Sequence, residues 1–386
     1  MIIVKFFCLL MYLVSFLIPR NKNIWLFGSE TGFDGNTKYF LIDVSENHKN
    51  VRPIWVSKRK QEIAAVRKKG YEAYYSFSIK GLYYSLIAGK YIVSGSLADI
   101  NFYTSGRAKY VQLWHGIGIK CCLWNNKNSI LNKKNKLVGF IERPSFYLEP
   151  DYIMGASQMM NDIFAKMFRA DVGKCHSTLY PRCEILFRSK KDIETYVEKN
   201  EDAYTRETIE QIKKFSKVFL YMPTYRDGDP LFLEKQNWNL NHLNEFLVEN
   251  NSLLIVKLHP HMKCSIDFSN FDNIIYLNKK IDMYPIMPFT DVLISDYSSV
   301  YYDYILMENK QIILYVPDME NYIKTSRDLL MDYRENTVGL YATTFKELLY
   351  CMQTEEKCDY TTIRDKFWGG APERRLGVLF EEVNDL

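Results

Sequence analysis

Three runs place reactive side chains directly after apolar stretches. The first is Val111-Gln112-Leu113-Trp114-His115-Gly116-Ile117-Gly118-Ile119-Lys120. A histidine at a strand's carboxyl end suits general-base work near neutral pH. Two glycines beyond it let the backbone pass close to a ligand. A structural histidine beside a glycine turn is the competing reading. The second run is Leu254-Ile255-Val256-Lys257-Leu258-His259-Pro260-His261. Pro260 stops the strand, and alternation puts Lys257 and His259 on one face. Two cationic donors there could bind a diphosphate. His259, His261 and Cys264 could instead ligate a metal, but H-x-H-x2-C is not a common zinc pattern and no fourth ligand stands out. The third run is Asp291-Val292-Leu293-Ile294-Ser295-Asp296-Tyr297-Ser298-Ser299. A buried strand ends at Asp296, and a helix begins near Ser298 or Ser299. Helix amides with two hydroxyls form an anion site. Capping by Ser298 accounts for one serine and less well for the whole run.

A fourth cluster is Tyr221-Met222-Pro223-Thr224-Tyr225-Arg226-Asp227. Arg226, just past a strand, could clamp a phosphate with two parallel hydrogen bonds. Asp227-Gly228-Asp229 has the outline of a DxD metal motif, but Asp, Gly and Pro230 are all turn formers. The chain has no Walker P-loop and no GxGxxG, GxSxG or HExxH, which removes the usual support for kinase, ATPase, dinucleotide, hydrolase and zincin readings.

These clusters need a scaffold that brings strand ends together. Short β-rich runs at Asn23–Gly28, 51–57, 91–94, 110–114 and Tyr152–Gly155 alternate with helical patterns near 36–47, 59–69, 78–88 and 158–168. The theme repeats with strands at 218–222, 253–258, 274–277, Val292–Ser295 and 312–316, and helices near 189–214, 240–250, 299–308, 344–353 and 372–384. Such alternation predicts βαβ units and parallel sheets. The fold class is α/β: two Rossmann-like domains of the GT-B type, with the site at the carboxyl ends of the strands in the cleft between them. The predicted division is an apolar amphipathic segment at 1–22, an acceptor and membrane domain at 23–185, and a donor domain at 186–386.

Composition is that of an ordinary globular protein. Of 386 residues, 47% are hydrophobic and 25% charged, which excludes disordered and collagen-like chains. Eight cysteines without a CxxC pair argue against a disulfide scaffold or zinc ribbon. Charge is unevenly spread: residues 1–183 hold 26 Lys and Arg against 12 Asp and Glu, whereas 184–386 hold 24 against 34. A basic half suits an anionic surface or phosphorylated substrate. Residues 2–18 are apolar apart from Lys5 and Ser15. On a helix, Lys5, Cys8, Tyr12 and Ser15 form a weakly polar stripe opposite Phe6, Leu9, Leu13, Phe16 and Leu17. A helix lying in the membrane interface, a short uncleaved anchor and a core helix are all compatible with this pattern. No nucleic-acid module accompanies the basic half.

Together the clusters resemble the CDP-glycerol glycerophosphotransferase family, the TagB/TagF-like enzymes of teichoic acid and capsule assembly. The resemblance rests on Trp25-Leu26-Phe27-Gly28-Ser29 with Asn36-Thr37-Lys38-Tyr39, Trp114-His115-Gly116, Tyr180-Pro181-Arg182, Pro223-Thr224-Tyr225-Arg226-Asp227, Lys257-Leu258-His259-Pro260 and Ser295-Asp296-Tyr297-Ser298-Ser299. These stretches occur in the family's order over about residues 23–335. The resemblance implies transfer of a polyol phosphate from a CDP-polyol, glycerol or ribitol, to a hydroxyl of a lipid-linked saccharide or polymer acceptor, with release of CMP. It implies His115 and His259 as catalytic residues, His115 being the base. It also implies Pro223, Arg226, Lys257, Asp296, Ser298, Ser299 and Glu335 on the donor side, and Gly116 and Lys120 on the acceptor side. No metal or other cofactor is expected, nor any nucleic-acid partner. The implied location is peripheral, on the cytoplasmic face of a bacterial plasma membrane, with an anionic lipid surface met by Phe6, Leu9, Leu13, Phe16, Lys133 and Lys134. Two stretches depart from the family: Ile117-Gly118 stands where Thr-Pro is common, and Glu335-Asn336-Thr337-Val338-Gly339-Leu340 replaces a Pro-Gly-rich stretch. A GT-B sialyltransferase, which can carry His-Pro and Ser-Ser, is the rival enzyme; a membrane-bound scaffold without activity is the rival of another class.

Overall fold

The structure is a computed structural model. It describes residues 2–127, 129–133, 135–226, 229–236, 238–320, 322 and 329–386, with the backbone alone at 2–5, 130, 133, 136 and 137. The chain forms two compact units. The first comprises Met1–His115, Cys122–Glu184 and Lys366–Leu386; the second comprises Gly116–Cys121 and Ile185–Asp365.

The first unit is built on strands β1 (Asn21–Gly28), β2 (Arg52–Ser57), β3 (Ala73–Tyr75), β4 (Ala88–Val93), β5 (Lys109–Gln112), β6 (Tyr152–Gly155) and β7 (Cys175–Ser177). Their order is β3-β2-β1-β4-β5-β6-β7, with every neighbouring pair parallel. Helices α1 (Ile2–Ser15), α2 (Gly35–Asn47), α3 (Lys60–Lys68), α4 (Ile79–Ile87), α5 (Ile130–Lys133), α6 (Lys136–Glu142) and α7 (Gln158–Phe168) belong to this unit. The central strand β4 is buried at every position, Lys90 included.

The second unit contains α8 (Lys190–Asn200), α9 (Ala203–Ile212), β8 (Lys217–Met222), α10 (Phe232–Lys235), α11 (Leu240–Glu249), β9 (Ser252–Val256), β10 (Ile274–Tyr276), β11 (Val292–Ser295), α12 (Val300–Tyr304), β12 (Gln311–Tyr315), β13 (Leu340–Ala342) and α13 (Phe345–Gln353). Its all-parallel sheet runs β10-β9-β8-β11-β12-β13. Both sheets therefore have the doubly wound order, reversing between β1 and β4 and between β8 and β11. Ligands bind α/β sheets outside the strand carboxyl ends at such reversals.

Several elements differ from the sequence reading. The helical stretch 189–214 is two helices, because Asp202 caps α9 by accepting from the Thr205 amide at 2.9 Å. The three-residue strands β3, β7 and β13 are too short for a period-two pattern to show. A further difference concerns residues 366–386: the sequence reading places them in the donor domain, but they complete the first unit. After α14 (Thr361–Trp368), helix α15 (Leu376–Asn384) buries Leu376, Leu379, Phe380 and Val383. Phe380 stacks on Trp25 of β1 at 5.3 Å and on His48 at 3.4 Å. Arg375 pairs with Glu184 at 3.1 Å, and Lys90 donates to the Asn384 carbonyl at 2.8 Å. The apolar stripe finds its match there, and helical periodicity alone does not say against which sheet a stripe packs.

Candidate active site

β5 ends at Gln112, so His115 lies three residues past the strand instead of closing it. Its backbone is held from several sides. The Gln112 side chain donates to the Gly95 carbonyl and accepts from the Trp114 amide, both at 2.9 Å. Trp114 has φ 49°, in the left-handed region, and Gly116 has φ 132°. The first costs about 1–2 kcal/mol for a residue with a Cβ, so other groups must fix the turn. Asn36, at the start of α2, donates to the Leu113 carbonyl at 3.2 Å and the Trp114 carbonyl at 2.9 Å. The Asn36 side-chain oxygen accepts from the Arg182 amide at 3.3 Å, and the Arg182 guanidinium donates to the His115 carbonyl at 2.8 Å. Asn36 and Arg182 are buried while the His115 side chain is exposed. The turn therefore holds firmly the backbone from which an exposed imidazole projects, a positioning that general-base catalysis can use. Asn36 and Arg182 carried no role in the sequence reading, and this bracing supplies one.

In the second unit, Ser295 lies opposite Met222 in register and donates to its carbonyl at 2.7 Å. The loops after β8 and β11 thus leave the sheet side by side at the strand-order reversal. Asp296, 2% exposed, accepts from the Thr224 amide at 2.9 and 3.1 Å and from the Arg226 guanidinium at 2.7 Å. Arg226, 3% exposed, also donates to the Thr224 carbonyl at 2.7 Å and to both oxygens of Asp318 at 2.8 and 3.0 Å. Phe232, Tyr297 and Tyr322 surround the guanidinium at 4.1, 5.1 and 5.0 Å, and the two tyrosine rings stack at 3.9 Å. Burial pulls the Arg226 pKa down, but the Asp296 and Asp318 carboxylates outweigh it and raise it overall. This corrects the expected phosphate clamp. Arg226 is occupied by two carboxylates and ties three strand-end loops together, and Asp296 orients the loop that buried Pro223 opens. Asp318 was missed, although it too follows a buried strand, β12, by three residues.

Lys257 also departs from expectation. It does not stand beside His259 as a second diphosphate donor. β9 ends at Val256, and the buried ammonium donates to the Asn278 carbonyl at 3.2 Å and to that of Lys279. Burial lowers its pKa to about 8, partly opposed by Asp282. Lys257 thus braces the loop after β10. His259 is exposed; its ring stacks on Tyr225 at 5.5 Å and its Nδ1 accepts from the His261 amide at 3.2 Å. In neutral His259 the proton is therefore on Nε2. Among the described residues, no group of three or more His, Cys, Asp or Glu is arranged to hold a metal ion. Asp227 and Gly228 lie outside the described residues.

Ser298 accepts from the Val300 amide at 3.4 Å, whereas the Ser299 side chain caps no amide. α12 spans only five residues instead of the expected 299–308, so the serine pair acts through hydroxyls and local amides without a long helix dipole behind it. Glu335 is exposed in the turn Arg334–Asn336. That turn is tethered to the same loop, because the Tyr333 hydroxyl donates to the Asp296 carbonyl at 3.1 Å and the Tyr302 hydroxyl to the Asn336 carbonyl at 3.2 Å. Pro223, Arg226, Asp296, Ser298, Ser299 and Glu335 therefore gather on joined loops of the second unit, with His259 beside them through Tyr225. His115 belongs to the first unit. Gly116 and Lys120, expected on the acceptor side, group with the second.

The apolar amino terminus is a 14-residue helix, and among the described residues no helix is long and apolar enough to cross a membrane. Of its weakly polar stripe, Cys8 and Tyr12 are half-buried, and the side chain of Lys5 lies outside what the structure describes. Ser15 is buried; it donates to the Tyr12 carbonyl at 2.6 Å and accepts from the Gly106 amide at 2.9 Å. Arg20 pins the segment by donating to the carbonyls of Ser15, Ser85 and Thr104 at 3.1, 3.1 and 2.8 Å. The opposite face is bare: Phe6 is 69% and Leu17 79% exposed, with Phe7, Leu10, Leu13, Val14 and Phe16 exposed between them. Leu9, expected on that face, is half-buried. Val138 and Ile141 of α6, which touches α1, are exposed as well. Lys134 and the side chain of Lys133 lie outside what the structure describes.

Residues 10–368 match the profile of a family described as CDP-glycerol:poly(glycerophosphate) glycerophosphotransferase. The teichoic acid poly(glycerol phosphate) polymerase of Bacillus spizizenii is 27% identical over 346 residues, covering 86% of this chain and 83% of that one. The teichoic acid glycerol-phosphate transferase of Staphylococcus aureus is 26% identical over 336 residues, 83% and 80% of the respective chains. A structure of the wall teichoic acid polymerase TagF, a variant soaked with CDPG, superposes with a TM-score of 0.75 at 21% identity, covering 97% of this chain and 93% of that one.

Proposed function

Because the chain belongs to the CDP-glycerol:poly(glycerophosphate) glycerophosphotransferase family, it is a transferase of that type, and we propose the following course for its reaction. A CDP-polyol binds at the β8/β11 strand ends, and an acceptor hydroxyl loses its proton to the His115 imidazole. The alkoxide attacks the β-phosphorus, the bond to the bridging oxygen breaks, and CMP leaves with the electron pair. In-line phosphoryl transfer asks the protein mainly for positioning and charge stabilisation. His259, Ser298 and Ser299 contact the donor, while Arg226, Asp296 and Asp318 fix the loops that carry them. The observation that carries this reading is the family match over 10–368, together with the gathering of its polar loops at the strand-order reversal of the second unit.

The test is CMP release by purified protein from CDP-glycerol and CDP-ribitol, with a lipid-linked saccharide acceptor and with or without EDTA. Acceptor-dependent CMP from one donor, unchanged by EDTA, is the expected result. Loss of activity in EDTA that added magnesium restores would overturn the metal-independent course. Turnover of CMP-sialic acid with neither CDP-polyol consumed would replace the reading by sugar transfer.

The acceptor is membrane-bound in this proposal, and α1 meets the membrane. A 14-residue helix rises about 21 Å, short of the ~30 Å hydrocarbon core, so it lies in the interface with its bare face down. The exposed face of α6 continues that surface, and the basic first half of the sequence suits anionic lipid. Changing Leu10, Leu13 and Leu17 together to glutamate releases the protein from phosphatidylglycerol vesicles in a flotation assay without lowering its melting temperature, since none of the three is buried. A triple variant that floats as fully as the wild type removes this placement.

A further inference from the structure

Residues 116–121 follow the His115 turn but pack with the second unit. Ile117 and Ile119 are buried, and Gly118 and Lys120 are partly exposed. The Ile119 carbonyl accepts from the Leu330 amide at 2.7 Å, and Lys120 pairs with Leu329 in an antiparallel bridge. This pinning fixes two close approaches. A Cβ on Gly118 would lie 3.7 Å from the Cβ of Ser299. The Lys120 ammonium sits 3.4 Å from the Thr224 hydroxyl and 5.7 Å from the centre of the Tyr322 ring. Thr224 is the residue whose amide Asp296 holds, so Lys120 lies where the loops after β8 and β11 meet.

Among the described residues, two carboxylates neutralise Arg226 and two carbonyls hold Lys257 behind β9, so neither is placed to meet a phosphate. We propose that Lys120 is a donor-site residue whose ammonium binds the diphosphate of the CDP-polyol and offsets the charge that grows on CMP as it leaves. This rests on the glycerophosphotransferase reading and assigns the positive charge that such a site requires. A lysine suits the task as a compact point charge on a flexible stem. The neighbouring serine and threonine hydroxyls can donate to the same oxygens.

Calorimetric titration of the full chain with CDP-glycerol and with cytidine separates the outcomes. Lys120→Met should weaken CDP-glycerol binding about 10- to 100-fold, the scale of a hydrogen bond to a charged group, and leave cytidine binding unchanged. Lys120→Arg should restore most of the loss. Raising the salt concentration should narrow the gap between wild type and Lys120→Met, as screening demands. Wild-type CDP-glycerol affinity in Lys120→Met overturns the inference. So does an equal loss of CDP-glycerol and cytidine, which would mean that Lys120 only props the loop. Failure of the wild-type chain to bind CDP-glycerol or CDP-ribitol at all is a separate result: it sinks the donor reading, and this assignment falls with it.

Discussion

Replacing His115 by alanine lowers the transfer rate about 100- to 10,000-fold, the range that a positioned general base supplies. Donor affinity should barely move. The His115 imidazole is exposed, and the His115 carbonyl is tied down by Arg182. Removing the side chain therefore leaves the turn standing, since Asn36, Gln112 and Arg182 all grip backbone atoms. His259→Ala should behave differently. Its ring stacks on Tyr225 among the donor loops, so the KM for CDP-polyol rises along with the fall in kcat. Steady-state kinetics with both substrates varied, checked by single-turnover CMP release, distinguishes the two patterns. Wild-type turnover in both variants would dismiss the assigned mechanism. A loss of donor binding in His115→Ala equal to that in His259→Ala would dismiss the division of roles.

Arg226→Leu destabilises the second unit by about 3–5 kcal/mol, because removing one partner from a buried ionic network strands the others. Two carboxylates depend on this guanidinium, and one of them, Asp296, is 2% exposed. Adding Asp296→Asn and Asp318→Asn to Arg226→Leu should return part of the lost stability, since the stranded charges disappear. Urea unfolding followed by tryptophan fluorescence measures both steps. An Arg226→Leu protein as stable as the wild type but deficient in donor binding would restore the phosphate-clamp role that the geometry denies. A triple variant less stable than the single one would show that the carboxylates hold the loops by some means other than the shared charge.

The sequence places most of this molecule because apolar runs and turns are local signals. β6, β11 and α7 have the same bounds in the sequence reading and in the structure. The polar clusters at strand ends also stand out, because a charged or hydroxyl residue directly after a buried run needs a reason. What the sequence conceals is partnership. Asp318 lies 92 residues from Arg226, and no periodicity links them. An arginine aimed at phosphate and one buried between two aspartates look alike until the second aspartate arrives in space. Lys257 is obscured for a related reason: alternation says which face a strand residue takes, but the carbonyls that hold its ammonium come from the loop after β10. Gly116 and Lys120 show a third limit. They lie within five residues of His115, yet the chain passes from one compact unit to the other at that point, and sequence proximity gives no warning of it.

The return of residues 366–386 to the first unit has a bearing on biosynthesis. A ribosome releases the seven strands of that sheet early, but the helix that covers Trp25 and His48 arrives only after the whole second unit has been made. Until then the nascent first unit carries an open apolar seam along β1 and α2, while the second unit, whose residues 185–365 are contiguous, can fold as it emerges. The later domain is thus equipped to mature before the earlier one, which carries that open seam for the interval. A gene cut at codon 184 would yield a first unit that stays permanently in that unfinished state.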